Sequence, residues 1–450
     1  MAVKNPLRYA RQLLQTLVND HDEHLLRADG YLHGIQDDPY MPENADAEYR
    51  LLAERAVTNV MGFAVDTFEQ ALFVDSFRRG RPSDRAVEPS TDAVQPEWDH
   101  FQASSMDSRQ SAIYRGAISC GQSFVLTERR PDRQVRSKGL SALGTSALFA
   151  DPANDLAPAI ALCVTQWPKS GSDKKTSIPG IARMWDDTFE YVVTFKSATS
   201  FEKGVTVKPL KRHGASECPV TRFAGNVDLE GRTWGVVERG IPLQNRLNQT
   251  IFDMLVVQSF ASFKVRTISG MAPPLKMQGV DEDGEVTTDP DAIVQYIPRL
   301  DSQGRTIPED VNLNARRFFF AEDPETRFST LDETQLDGFI AAVRLAFEHI
   351  AALYHIPPHY MLGKIADLSA EAMTAAETSW SRTVEGLKRQ FGESWERVFR
   401  IAAELNGDAI GAGDLSGEIV WRDMENRSMS ALGDALGKMA ESLGIPKRGL

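Results

Sequence analysis

Apolar residues recur at helical spacing through the first seventy positions, where Leu7, Leu13, Leu14, Leu17 and Val18 mark one amphipathic face. A Gly-, Pro- and Asp-rich stretch over 30–44 interrupts the pattern, and a second helix is predicted over 45–70. Residues 72–79 read as a strand and 98–117 as a helix. The period then changes. The runs 122–128, 147–151, 159–166, 181–185 and 190–196 are short, β-prone and bounded by Gly, Pro, Asp or Ser. Residues 118–235 therefore read as an α+β block dominated by short strands. Helical spacing returns over 241–263, with Pro242 expected in the first turn, where its missing N–H is tolerated. Gln244, Asn245, Asn248, Gln249, Asp253 and Gln258 give that helix a mostly uncharged polar side. The following segment is rich in turns, and 280–286 predicts a hairpin around Asp283-Gly284. Thr330 and Glu333 have capping-box spacing, which predicts a helix over 331–354 that Pro357-Pro358 ends. Ser369 is the expected N-cap of a long helix to about 405, in which Gly386 and Gly392 permit a bend. A glycine-rich break over 407–417 precedes a last short helix over 429–443.

Composition narrows the function classes. The chain has 450 residues, 42% of them apolar and 25% charged, which suits a globular protein of two to four domains. Its net charge of −13 argues against a simple nucleic-acid clamp, whose groove is normally basic, and leaves room for a smooth acidic channel. Cys120, Cys163 and Cys218 are few, odd in number and far apart, so neither a disulfide framework nor a metal motif is expected. No cleavable leader or membrane span is expected either.

Local motifs point to no catalytic or metal chemistry. His349, His355 and His359 share no uninterrupted helix face that could hold a metal. Around Asp281, Asp283 and Glu285 the glycine stands at the wrong offset for a calcium loop and no bidentate Glu falls at the twelfth position, so they read as an acidic hairpin tip. Gly363-Lys364 lacks the upstream glycine and following Ser or Thr of a phosphate loop. Neither a serine nucleophile elbow nor an HExxH helix is present. No cofactor, metal or catalytic residue is expected.

The informative feature is an arrangement. Two helices, roughly 35 Å each at 1.5 Å per residue, flank an insert of turns and short strands. After the second come a Pro-ended loop and a longer third helix. Such helices suit a ring in which neighbouring copies pack into a tube. Five stretches carry a resemblance: Gly235-Val-Val-Glu-Arg-Gly-Ile-Pro-Leu-Gln-Asn-Arg-Leu-Asn-Gln-Thr250, Phe320-Ala-Glu-Asp-Pro-Glu-Thr-Arg-Phe328, Ile356-Pro-Pro-His-Tyr-Met-Leu-Gly363, Leu368-Ser-Ala-Glu-Ala-Met373 and Phe391-Gly-Glu-Ser-Trp-Glu396. Residues 31–42 and Asp151-Pro152 add to them. In this order and spacing, they resemble the portal proteins of tailed bacteriophages, in the branch common in phages of actinobacteria.

The resemblance implies an α+β, mainly helical portal architecture built as a cyclic oligomer, usually a dodecamer. It implies an α/β wing over 1–240, stem helices over 241–263 and 331–354, and a small β-containing clip over 264–330. A tunnel loop over 355–368, a long kinked wing helix over 369–407 and the start of a short helical crown over 408–450 complete it. The chain stops at Leu450 where the family commonly continues, so either the crown is short or the chain is a piece of a longer one. The implied role is a conduit for double-stranded DNA at one capsid vertex during packaging and ejection, not an enzyme, with ATP hydrolysis left to a separate motor. The implied partners are further copies of the chain, the large terminase, the major capsid protein and scaffold, a head–tail adaptor, and duplex DNA without sequence preference. No membrane is implied; the place is the virion, after assembly in the host cytoplasm. Lys364 and Asp367 in the tunnel loop are candidate channel residues. Gln244 and Asn248 on the first stem helix either line the channel or form an exposed or intersubunit face. Two other readings stay open: a DNA-processing hydrolase with an unrecognised acidic site, and a ring-forming structural protein without a DNA channel.

Overall fold

The computed structural model describes residues 4–41, 47–79, 96–169, 177–262, 266–269, 275–301, 303–307, 327–330, 336–363 and 370–422, with backbone alone at 260–262, 266–269, 327–330 and 370–376. In chain order the elements are α1 (Pro6–Asp20), a π-helical turn (His21–Leu25), α2 (Leu26–Leu32), α3 (Ala47–Ala56), α4 (Val60–Gln70), β1 (Val74–Arg78), α5 (Pro96–Ala103) and α6 (Met106–Cys120). Strands β2 (Ser123–Arg129), β3 (Val135–Leu140), β4 (Thr145–Leu148), β5 (Ile160–Gln166), β6 (Gly180–Trp185), β7 (Phe189–Phe195), β8 (Thr206–Arg212) and β9 (Val220–Phe223) follow. Next are α7 (Val236–Ser262), β10 (Arg266–Ser269), β11 (Met277–Val280), β12 (Val286–Thr287), β13 (Gln295–Pro298) and β14 (Arg327–Thr330). The described chain ends with α8 (Asp337–Leu353), α9 (Pro358–Leu362), α10 (Ala370–Asn406), α11 (Ala409–Ala412) and β15 (Glu418–Trp421). The class is α+β.

Contacts divide the chain into two units. One comprises Met1–Phe252 with Phe339–Leu450, and the other Asp253–Gly338. In the larger unit, α10 is the spine. Its Phe391, Trp395, Val398 and Phe399 are buried against Phe101, Tyr114 and Phe223. Tyr114 stacks on Phe391 at 5.4 Å, and the Trp395 indole N–H donates to the Tyr114 hydroxyl at 2.7 Å, so this polar tip is satisfied inside the core. A five-stranded antiparallel meander, β4-β5-β6-β7-β8, buries Ile160, Leu162, Val193 and Phe195 against Leu13 and Leu14 of α1. A three-stranded sheet, β3-β2-β9, lies in the same unit, and β1 pairs with β15.

The smaller unit holds the sheet β12-β11-β13 and the ladder β10-β14. Val280 pairs with Val286 around the Asp283-Gly284 turn, as the hairpin signal required, and Gly284 supplies the positive φ of 82°.

Several expectations fail for identifiable reasons. The helix over 45–70 is two helices, because Asn59 leaves helical geometry and its side chain caps the Gly62 N–H at 3.3 Å. The helix over 98–117 breaks at Ser105, which is left-handed at φ 57°. Helix α7 begins at Val236, so Pro242 sits inside it and gives no N–H to the Glu238 carbonyl. Thr330 is the last residue of β14, paired with Arg266, and α8 starts only at Asp337; the capping-box reading of Thr330 is therefore wrong. Part of the expected loop after α8 is the short helix α9. Ser369 and the expected helix over 429–443 lie outside the described residues.

Candidate functional site

The polar side of α7 does not face solvent along its first half. Gln244 and Asn248 are 0% and 1% exposed. Spaced four apart, they stand one turn above the other on one helix face. The Gln244 amide N–H donates to the Thr58 carbonyl at 2.7 Å and to Asn248 Oδ1 at 2.8 Å, while its oxygen accepts the Val60 N–H at 3.1 Å. Asn248 accepts the Thr58 N–H at 3.2 Å and donates to Gln36 at 2.6 Å. Asn245 accepts from the Tyr31 hydroxyl at 2.6 Å, and Gln249 accepts the Tyr40 N–H at 2.7 Å. The polar residues of the 235–250 stretch thus clamp two irregular segments, 36–40 and 58–60, whose backbone groups have no ladder of their own. A channel role for Gln244 and Asn248 is corrected on this ground: side chains sealed inside their own subunit and saturated with hydrogen bonds have no surface to offer DNA.

Asp37 closes the clamp. It accepts from Arg27 at 2.5 Å and from Asn245 at 3.2 Å. Burial pushes its carboxyl up, but hydrogen bonds from Tyr31, Arg27 and Asn245 outweigh that and hold it below the ordinary carboxylate range. Two stretches more than 200 residues apart in sequence are brought together here. Neither could be read from the sequence alone as the other's partner.

The segment after α8 is anchored before it reaches its predicted site residues. Tyr354 is buried and donates to the Val236 carbonyl at 2.9 Å, and Ile356 is buried in the main core. His355 turns the chain at φ 57°. His359 is buried with its ring against Tyr360, and the Tyr360 hydroxyl donates to Glu377 of α10 at 3.2 Å. Lys364 and Asp367 lie outside the described residues.

The 391–396 stretch is the heart of the α10 core. Ser394 donates to the Arg222 carbonyl at 2.8 Å. One residue beyond that stretch, Arg397 is 5% exposed and donates to the carbonyls of Val220 and Cys218 at 2.9 and 2.8 Å and to Thr221 Oγ1 at 2.5 Å, which binds β9 to α10. Arg222 extends the other way. It donates to the carbonyls of Pro152 and Asp155 at 2.9 and 2.7 Å, which explains the structural use of the Asp151-Pro152 turn. Both arginines pin loops and reach no open cleft. Sequence reasoning missed both, since an arginine in a helix or strand gives no local sign that it will be buried. Beside them, burial and then repulsion by Glu393 push the Glu396 carboxyl up to about 7.

Helix α8 has the opposite character. It is apolar on nearly all sides, and Ile340, Leu345 and Leu353 are 58%, 50% and 39% exposed. Ala341, Ala342 and Ala352 share that exposed arc, which Asp337, Arg344, Glu348 and His349 interrupt. A helix hydrophobic all round is normally covered, so this face is suited to another polypeptide.

Among the described residues no group of His, Cys, Asp and Glu is arranged to hold a metal ion, and no helix is long and apolar enough to cross a membrane. The three cysteines are unpaired thiols.

The sequence matches known proteins. The portal proteins of Mycobacterium phages L5 and D29 are each 33% identical to this chain over 126 residues. That stretch is 27% of this chain and 26% of each relative, so the match spans about a quarter of their length. A far longer match, over residues 15–450, is to the family described as phage portal protein, SPP1 Gp6-like; the chain belongs to that family.

Proposed function

We propose that this chain is one subunit of a cyclic portal, a ring of about twelve copies that conducts duplex DNA through one vertex of a phage capsid during packaging and ejection. The observation that carries the reading is the uncovered apolar arc of α8, on a chain whose family match is nearly complete. Helices α7 and α8 form the stem, and the segment 264–330 between them is the clip that meets the large terminase and later the head–tail adaptor. The loop over 355–368 narrows the channel, with Lys364 and Asp367 facing DNA. Helix α10 and the sheets form the wing against capsid protein and scaffold, and residues from 408 begin the crown. The ring acts as a conduit and docking platform rather than a catalyst. With a net charge of −13 per chain, it presents a mainly acidic field that keeps phosphates from sticking during passage.

Light scattering across a range of protein concentrations tests this. The wild-type chain is expected to assemble into a closed oligomer of uniform mass. Leu345→Glu places a charge on the uncovered arc and is expected to yield folded monomers with an unchanged circular dichroism spectrum. Assembly by that variant as complete as wild type's would remove α8 from the interface.

A further inference from the structure

A basic patch stands apart from the acidic remainder of the molecule. Between Glu128 and Lys138, the hairpin joining β2 and β3 carries five cations and two acids, in a chain of net charge −13. Its tip is a tight turn: Arg133 is left-handed at φ 68° and donates its N–H to the Arg130 carbonyl at 2.9 Å. Arg130 and Arg133 are exposed there.

Strand β8 is one of the two outer strands of the five-stranded sheet, with six of its seven residues exposed. Strict alternation would put Lys208 and Lys211 on opposite faces. A β-bulge prevents that: Lys208 pairs with Val192 and Lys211 with Glu190, so both lysines share one face. The Lys211 ammonium donates to the Arg129 carbonyl at 3.1 Å, which sets the strand beside the hairpin across 82 residues of sequence.

Some of these cations are already engaged. Lys211 and Arg183 share the buried Glu190 carboxylate, Lys138 pairs with Glu128, and Arg129 donates to the Leu405 carbonyl. Arg130, Arg133 and Lys208 form no ion pair among the described residues. Asp132 is the one exposed acid on the hairpin tip, and its carboxylate accepts the Gln134 N–H at 2.9 Å.

We infer that this patch binds the phosphate backbone of duplex DNA, at a surface separate from the 355–368 loop. Its composition favours DNA over an acidic protein segment. Protein interfaces are anchored by buried aromatic or aliphatic groups, and among the exposed residues of the hairpin tip and β8 Leu210 is the one large apolar side chain. Pro209 has no N–H to give, so the β8 edge is a poor template for an added strand. Exposed guanidinium and ammonium groups suit phosphate contact without sequence preference. The inference does not require the ring, because each chain carries one complete patch.

The test is fluorescence anisotropy of a labelled duplex with purified full-length chain, over about 50 to 200 mM salt. Wild type is expected to bind with a steep salt dependence. The triple variant R130Q/R133Q/K208Q is expected to bind about tenfold or more weakly, with a log–log salt slope shallower by about three. Light scattering on the same samples reports assembly, so failure of the ring is read separately from failure of the patch. If the triple variant does not fold by circular dichroism, Arg130→Gln and Lys208→Gln are measured singly, each expected to flatten the slope by about one. Variant binding indistinguishable from wild type, or a wild-type chain that ignores duplex DNA, overturns the inference. So does polyglutamate binding as tightly as DNA, which would assign the patch to an acidic polypeptide.

Discussion

Replacing Gln244 by Leu separates a clamp from a channel lining. The side chains are close in size, so the change removes hydrogen bonds with little change of volume. Gln244 is fully buried and serves two backbone groups, the Thr58 carbonyl and the Val60 N–H, as well as Asn248. The Val60 N–H is an orphan donor at the start of α4, with no partner inside its helix. An unsatisfied buried group costs about 1–3 kcal/mol, so two of them should lower stability by about 2–6 kcal/mol. An exposed channel residue would change stability by no more than about 0.5 kcal/mol. Urea unfolding of Gln244→Leu, at concentrations where the midpoint does not vary with protein, should show the larger loss. Hydrogen exchange should show faster exchange of the Val60 amide in the same variant. A midpoint equal to wild type with a protected Val60 amide would refute the clamp.

Three further outcomes follow from the same contacts. Arg397→Met deprives the Val220 and Cys218 carbonyls of their donor and is expected to destabilise the chain by about 3–5 kcal/mol, read from its thermal midpoint. Glu396 has its folded pKa raised from 4.5 to about 7, so its contribution to stability is fully present below 4.5 and is lost as pH rises through 7. Glu396→Gln should therefore gain on wild type between those values, by about 1 kcal/mol once the half-exposed site is discounted for solvent screening; urea midpoints at both ends of that range check it. Lys364→Ala should leave ring assembly intact and should alter the length or retention of packaged DNA, read on a gel.

Much of the architecture was legible because it depends on local signals. The helical period of α7, α8 and α10 and the Asp283-Gly284 hairpin are patterns of neighbouring residues. Strand β3 was missed because Arg136, Lys138 and Gly139 obscure alternation, and β8 because an edge strand with Pro209 and three cations looks like a loop. Gln244 and Asn248 were misplaced for a different reason. An uncharged polar face marks a helix that is either wet or internally hydrogen-bonded, and the deciding partners, Thr58 and Gln36, lie some 190 to 212 residues away. The basic patch was equally hidden, since β2 and β8 meet only in the fold.

Electron-microscopic class averages of the purified chain test the central claim most directly. The account expects closed rings of constant subunit number, with a central hole wide enough for a B-form duplex. Monomers alone at every concentration, or rings without a through-hole of that width, would contradict it.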